Sequence, residues 1–411
     1  MTTTRPLRLP AQALSLLLPL FLATGDLARA QTVGDLPIQV TAPTPGWIQP
    51  GLRLTFYHAS STTPHGDWDY QVDENGEWVD KRGTRYSRER ASGTGSHGLI
   101  QANVVGLDEQ QASIQMLFFL FDGMNLAEPT QKLELGYSAP AATAGDLWLH
   151  PQVLEQLLAE GFAGLNIRRV SKTIDNATYD GVMIHCATET GKSVWIYDRA
   201  SGVLLYSSQL GTQPARFSNT GARTSKGGAT AMFTVFKGSR YPEIPWKDAP
   251  APEWLGQLKQ LDYRGFFAVR QQGIPDTPLS FQIAAGVKER GADWLVLDGE
   301  VRSAMPGGGL PGFGGRACGN RQLCGFWIPV SGLAALRVGQ ELDSDPLTRV
   351  TTRVSHVDAQ SVTITQTSPR QQLDYTYRRS DGLLVKGVFA ERFTFPPGMA
   401  NVIEIHLAGA R

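Results

Sequence analysis

Two stretches of this chain say nearly the same thing: SVWIYDRASGVLLYS at residues 193–207 and DYTYRRSDGLLVKG at residues 374–387. Each places a tyrosine in an alternating apolar run. A basic residue, a small polar pair, a glycine and an aliphatic run follow. Alternation of this kind marks a half-buried strand, and a glycine-bearing turn between two such runs marks a hairpin. The stretch is therefore read as a structural hairpin, present twice because a larger unit is present twice.

The repeat extends outward from the hairpins. A shift of 179 places Trp148 on Trp327, Leu154 on Leu333 and Leu157 on Leu336. A shift of 180 places Arg169 on Arg349, Val170 on Val350, Val182 on Val362, Ile184 on Ile364, Tyr197 on Tyr377, Gly202 on Gly382 and Leu204 on Leu384. Upstream, LIQANVVGL from Leu99 lies over LSFQIAAGV from Leu279 at the same offset. Such long copies describe a duplicated domain; solenoid repeats are much shorter. The expected organisation is a first unit at 45–240, a proline-rich join at 241–254 and a second unit at 255–411.

Strand-like runs dominate both units, so the fold class is mainly β: two duplicated domains, each a curved antiparallel sheet or half-barrel with one short covering helix. HPQVLEQLLAEG (150–161) carries Val153, Leu154, Leu157 and Leu158 on one helical face, with Gly161 as its stop. Its counterpart is PVSGLAALRVGQ (329–340). The units differ in two insertions. The first carries a polar segment near 67–93, in which Asn75-Gly76 predicts a hairpin. The second carries a glycine-rich loop at 305–325 that contains Cys318 and Cys324, expected to form a disulfide, with Leu310 and Phe313 as apolar tips.

The 411 residues balance 38 basic against 38 acidic side chains, which gives no field for nucleic acid. Residues 1–30 read as a signal peptide: Arg5 and Arg8, an apolar run at 13–23, then Ala28-Arg29-Ala30. Residues 31–44 follow as an exposed segment. No later run is long enough for a transmembrane helix, so the mature protein is expected to be periplasmic or secreted. Export permits disulfides, and Cys186, in the strand-like GVMIHCATE, is left as a buried thiol.

No catalytic motif emerges. GTGSHG (93–98) departs from a nucleophile elbow because Thr94 stands at the first glycine. The acidic cluster around Asn75-Gly76 fails the EF-hand spacing, with Gln71 and Arg82 at the end positions. No pattern calls for a metal or a cofactor.

Each unit resembles the LolA-like periplasmic lipoprotein carriers in size and rhythm, and VWIYDRASGVLLYS is similar to their closing hairpins. The resemblance implies a sheet curled around an apolar hollow and a site for an acyl chain; it carries over no functional residue. The expected function is an exported, non-catalytic binding or carrier protein for an apolar, lipid-like ligand. The expected wall residues are Val104, Met116, Phe118 and Trp148 in the first unit, and Trp294, Leu295, Leu297 and Trp327 in the second, with Leu310 and Phe313 beside them. Two alternatives stand: an accessory subunit of an envelope assembly, partnered by another envelope protein, and a secreted hydrolase with its site between the units.

Overall fold

The structure is a computed structural model that describes residues 42–63, 71–73, 78–79, 95–122, 125–144, 147–187, 191–213, 228–271, 278–303, 315–392 and 399–411. The signal-peptide reading, Leu310 and Phe313 lie outside the described residues. Among those described, no helix is long and apolar enough to cross a membrane.

The first unit runs β1 (Arg53–Thr63), β2 (Gln71–Val72), β3 (Trp78–Val79), β4 (Gly95–Leu107), β5 (Gln111–Asp122), β6 (Asn125–Pro140), α1 (Pro151–Glu160), β7 (Leu165–Ile174), β8 (Ala177–Ala187), β9 (Gly191–Asp198), β10 (Leu204–Gln213) and β11 (Gly228–Arg240). The second runs β12 (Gln260–Gln271), β13 (Leu279–Arg290), β14 (Trp294–Ser303), β15 (Arg316–Gly319), α2 (Val330–Ala334), β16 (Glu341–Asp345), β17 (Val350–Val357), β18 (Ser361–Thr367), β19 (Gln371–Arg378), β20 (Leu384–Arg392) and β21 (Met399–Ala410). The first sheet is ordered β6-β5-β4-β1-β11-β10-β9-β8-β7, and the second β15-β14-β13-β12-β21-β20-β19-β18-β17-β16. The order is the same, with β16 added at one edge. Among the described residues every strand pairing is antiparallel and the sheets do not close, and β2 and β3 pair only with each other.

Bulges repeat with the topology. They fall at Thr55/Phe56 and Asp262/Tyr263, at Val104/Gly106 and Val287/Glu289, and beside Tyr197 and Tyr377. A bulge adds local bend and twist, so its placement shapes the curl. The bulges also correct the sequence alignment. Val104 faces Ile114 and Val287 faces Leu297 at the same bulge, so Leu99 is equivalent to Gln282, an offset of 183.

A tryptophan wedge holds each repeated hairpin. Trp148 bridges Val203, and Trp327 bridges Leu383. The neighbouring amides complete the clasp: Leu149 N donates to Gly202 O, and Ile328 N to Gly382 O, each at 2.9 Å. A second tryptophan meets each wedge edge-on, Trp47 on Trp148 at 6.3 Å and Trp254 on Trp327 at 6.0 Å. Their indole nitrogens donate to Ser201 O and Asp381 O, the same turn position in each copy. Gly202 and Gly382 have φ of 80° and 78°, and a Cβ there would come within 1.8 Å of Leu149 O and 2.0 Å of Ile328 O. Only glycine fits so close a strand-to-turn contact.

The helices diverge. His150 Nδ1 caps α1 by accepting from Gln152 N, and α1 runs ten residues to Gly161. The predicted second helix at 329–340 shortens to five residues, and the chain then forms β16. Gly332 lies inside α2 against Trp246, and Gly339 takes φ 84°. Glycine at both places disfavours a longer helix. The exchange also cancels two sequence matches. Ile184 pairs with Ile167, whereas Ile364 pairs with Val354, so Arg169 and Val170 are not the structural equivalents of Arg349 and Val350.

β16 joins the units. Arg53 Nη1 lies 3.1 Å from Asp343 and 3.2 Å from Asp345, and Arg240 reaches the same carboxylates at 2.7 and 2.9 Å. Gln101 donates to Asp345 at 2.8 Å, and Arg53 Nε to Asn103 at 2.8 Å. Beside this network, Trp294 packs on Gly106, in a small apolar cluster with Val105, Val296 and Ala317. A polar cavity of about 30 Å³ remains in the seam, lined by Arg53, Gln115, Glu134, Gln322 and Cys324 among others. It has room for about one water.

The expected Cys318–Cys324 disulfide is not formed: none of the three cysteines is in a disulfide. Cys318 sits on β15 in the second core with its thiol directed to Leu295 O, whereas Cys324 faces the seam cavity. Burial raises both thiols well above their ordinary pKa.

Burial alone would raise the Asp345 carboxyl, but the Thr348 amide, Arg53, Arg240 and Gln101 outweigh it and hold it at about 2. The folded value lies below the unfolded one, so this stabilisation is complete above about pH 4 and is lost as pH falls toward 2. The stability gap between the wild type and Asp345→Asn, from urea denaturation, is predicted to close by roughly 2 kcal/mol across that window. A gap independent of pH would contradict the seam network.

Candidate functional site: an apolar face in the first unit

Directly paired residues of an antiparallel sheet point to the same face, so each cross-strand row can be followed across the sheet. In the first unit one row reads Gln131, Phe119, Leu99, Tyr57, Val235, Tyr206, Ile196, Met183 and Arg168, from β6 to β7. Seven consecutive members are apolar or aromatic, and all of these but the partly buried Val235 are buried.

The equivalent row of the second unit reads Arg302, Gln282, Arg264, His406, Lys386, Thr376, Thr363 and His356. Every member is polar. Arg302 is 74% exposed, His356 60% and His406 51%. One fold thus carries an apolar row in one copy and a polar row in the other. This is what a solvated face and a covered face require.

The next row of the first unit continues the pattern with His97, Ala59, Phe233, Ser208 and Val194, all buried. His97 stacks on Phe121 at 5.4 Å and lies 6.4 Å from Tyr57. His185 continues the row on β8 and pairs with Asn166 on β7; burial, then Lys192 and Arg168, hold its imidazole below the ordinary pKa. Ser208 Oγ is buried without a hydrogen-bond partner among the described residues. In the other direction the face passes through Gln101 and Thr55 to Asn103 and Arg53, where the second unit seals it.

The sheet curls toward this face. Lys172 lies four residues beyond Arg168 on β7, on the same side. Its ammonium is 4.0 Å from the ring centroid of Tyr206 on β10. On a flat sheet three strand spacings and four residues would separate the two positions by roughly 20 Å. Asp73, just after β2, meets the face at the same edge: its carbonyl oxygen accepts from Arg168 Nη2 at 2.8 Å. The second unit has no such insertion, and its row is exposed.

The expected wall residues lie outside this row. Met116 and Phe118 pair with Ala102 and Ile100, and Val104 with Ile114, all on the opposite face. Trp148 and Trp327 are the hairpin wedges. Leu295 and Leu297 fill the second core, and Trp294 packs in the seam. The sequence reading did not single out the residues of the apolar row. Their signal was present: LFFLF at 117–121 and VWIY at 194–197 are apolar at successive positions, whereas TITQT and DYTYR alternate. Loss of alternation marks a strand buried on both faces.

A second concavity is a groove of about 530 Å³ on the second unit, beside Trp254 and the end of β21. Its charges are already paired, Arg378 with Asp381 and Arg411 with Asp262. Among the described residues no group of histidine, cysteine and carboxylate side chains could hold a metal.

No protein-family model matches the chain, and no curated protein matches it. Among solved structures, one of unknown function from the DUF3598 family of Nostoc punctiforme PCC 73102 is similar over 87% of this chain and 96% of its own, at 10% identity and a TM-score of 0.14. Another, described as a candidate AttH from Nitrosomonas europaea, covers 87% and 92% at 9% identity and a TM-score of 0.13. Likenesses at such scores carry no argument about this chain.

Swapping equivalent residues tests the asymmetry. Leu99→Gln puts an amide into the covered row and is predicted to cost about 3 kcal/mol in urea denaturation. Gln282→Leu, its counterpart on the open face, is predicted to change stability by less than about 0.5 kcal/mol. Equal effects would mean that the two faces are equally covered.

Proposed function

We propose that this chain is an exported, non-catalytic binding or carrier protein for an apolar, lipid-like ligand, and that the ligand lies on the curled apolar face of the first unit. The observation that carries the reading is the cross-strand row from Phe119 to Met183, apolar where its structural counterpart from Arg302 to Thr363 is polar. A sheet face so apolar is stable only under cover, at about 25 cal/mol for each Å² removed from water. An acyl chain supplies the same cover as protein side chains do. The residues are buried in this structure, so entry of a ligand requires whatever lies over them to be displaced. Asp73, just after β2, meets the face at Arg168.

The reading agrees with the resemblance to LolA-like carriers, and it moves the site from the walls first expected to the opposite face. The second unit serves as a support: its β16 aspartates hold Arg53 and Arg240 at one end of the face. That locked seam also favours a second reading, an accessory subunit that uses the joined units as a rigid platform in an envelope assembly.

Titration with the neutral, polarity-sensitive probe N-phenyl-1-naphthylamine separates the two. The carrier reading predicts saturable fluorescence enhancement that Met183→Thr weakens and Thr363→Met leaves unchanged. Absence of saturable binding, or equal sensitivity to both substitutions, would contradict it and leave the platform reading in front.

A further inference from the structure

Resting on the apolar-face reading, we infer that the ligand carries a neutral oxygen function, a carbonyl or a hydroxyl, on its apolar skeleton, and that Ser208 in the middle of the face receives it. Ser208 stands on β10 in the second row of the face, between Phe233 on β11 and Val194 on β9. Along its own strand, its neighbours on the same face are Tyr206 and Leu210. All four neighbours are buried, and Ser208 itself is 0% exposed. Its Oγ has no hydrogen-bond partner among the described residues. A buried hydroxyl without a partner carries a desolvation cost that the methyl group of alanine does not. Packing therefore gives no reason for a serine at this position, whereas an oxygen on the ligand does.

The second unit sharpens the point. The counterparts of Phe233 and Val194 are Glu404 and Asp374, and both of these pair with Val388, the counterpart of Ser208. Phe233 and Val194 follow the rule of the face, apolar in the first unit and polar in the second. Ser208 reverses it: the covered face holds the hydroxyl, and the open face holds the aliphatic side chain. A hydroxyl both donates and accepts, so it can serve a ketone, an ester or an alcohol. With apolar residues on all four sides, one hydroxyl does not offset the desolvation of a charged group, so the ligand oxygen is neutral. Under the cover the Ser208 hydroxyl is unpaired, and beside a ligand oxygen it is paired. The same side chain thus disfavours the cover relative to the ligand and discriminates against a plain hydrocarbon.

The test uses a matched pair of neutral probes, 2-acetylnaphthalene and 2-ethylnaphthalene, in which a carbonyl oxygen replaces a pair of hydrogens. Displacement of N-phenyl-1-naphthylamine from the full chain is measured with each, for the wild type and for Ser208→Ala. Thermal unfolding of both proteins is followed by circular dichroism without ligand. The inference predicts that Ser208→Ala lowers affinity for the ketone about fivefold, the size of one neutral hydrogen bond, and leaves affinity for the hydrocarbon within about twofold. It also predicts that ligand-free Ser208→Ala melts at or above the wild-type temperature, because an unpaired hydroxyl has been removed. An unchanged ketone affinity, an equal loss for both probes, or a lower melting temperature would overturn the assignment of Ser208 while leaving the apolar site standing. Binding of neither probe would overturn the apolar-site reading and this inference with it.

Discussion

A β-sheet has two faces, and backbone hydrogen bonding is indifferent to what lies on either. What lies over the second face decides its side chains. The duplicated units share strand order, three bulge positions and a tryptophan-clasped hairpin, so their backbones pose the same problem twice. They solve it in opposite ways. Where Ile196 and Met183 stand in one copy, Thr376 and Thr363 stand in the other; where Leu99 and Phe119 stand, Gln282 and Arg302 stand. Burial of these residues in the first unit is the constraint on which the functional reading depends.

The second divergence is the exchange of half a helix for a strand. α1 spans ten residues with a histidine cap and a glycine stop, while α2 ends after five and releases the chain into β16. β16 then carries Asp343 and Asp345 to Arg53 and Arg240. Buried ion pairs contribute little net stability against an apolar alternative, but loss of one partner is costly, so they fix geometry more than they strengthen it. Each copy has thus specialised: the second supplies a docking strand and an open polar face, and the first supplies an apolar face.

Much of the architecture was legible in the sequence. The repeated hairpin, the mainly β character, the first helix and the paired tryptophans all follow from local patterns whose physics is local. The site was less legible. Trp148 and Trp327 are large and apolar and read as wall candidates, and in the structure each bridges the repeated hairpin as a wedge. Met116 and Phe118 alternate correctly for a strand, yet nothing within β5 alone says which face is the informative one. Comparison of equivalent positions would have said so, and it required the right offset. Bulges and unequal loops move that offset from 180 at Ile184 to 183 at Leu99, so the sequence alignment set Leu99 against Leu279 and hid its contrast with Gln282. The cysteine pairing was argued from closeness in sequence, but a strand end and the turn after it direct the two thiols to different surroundings.

Native mass spectrometry of the protein, purified without detergent from the cells that make it, tests the central claim most directly. The account predicts a discrete added mass that organic solvent releases as an apolar, lipid-like compound. A clean ligand-free mass, unchanged after incubation with a lipid extract, would contradict it and reduce the apolar face of the first unit to a dry core.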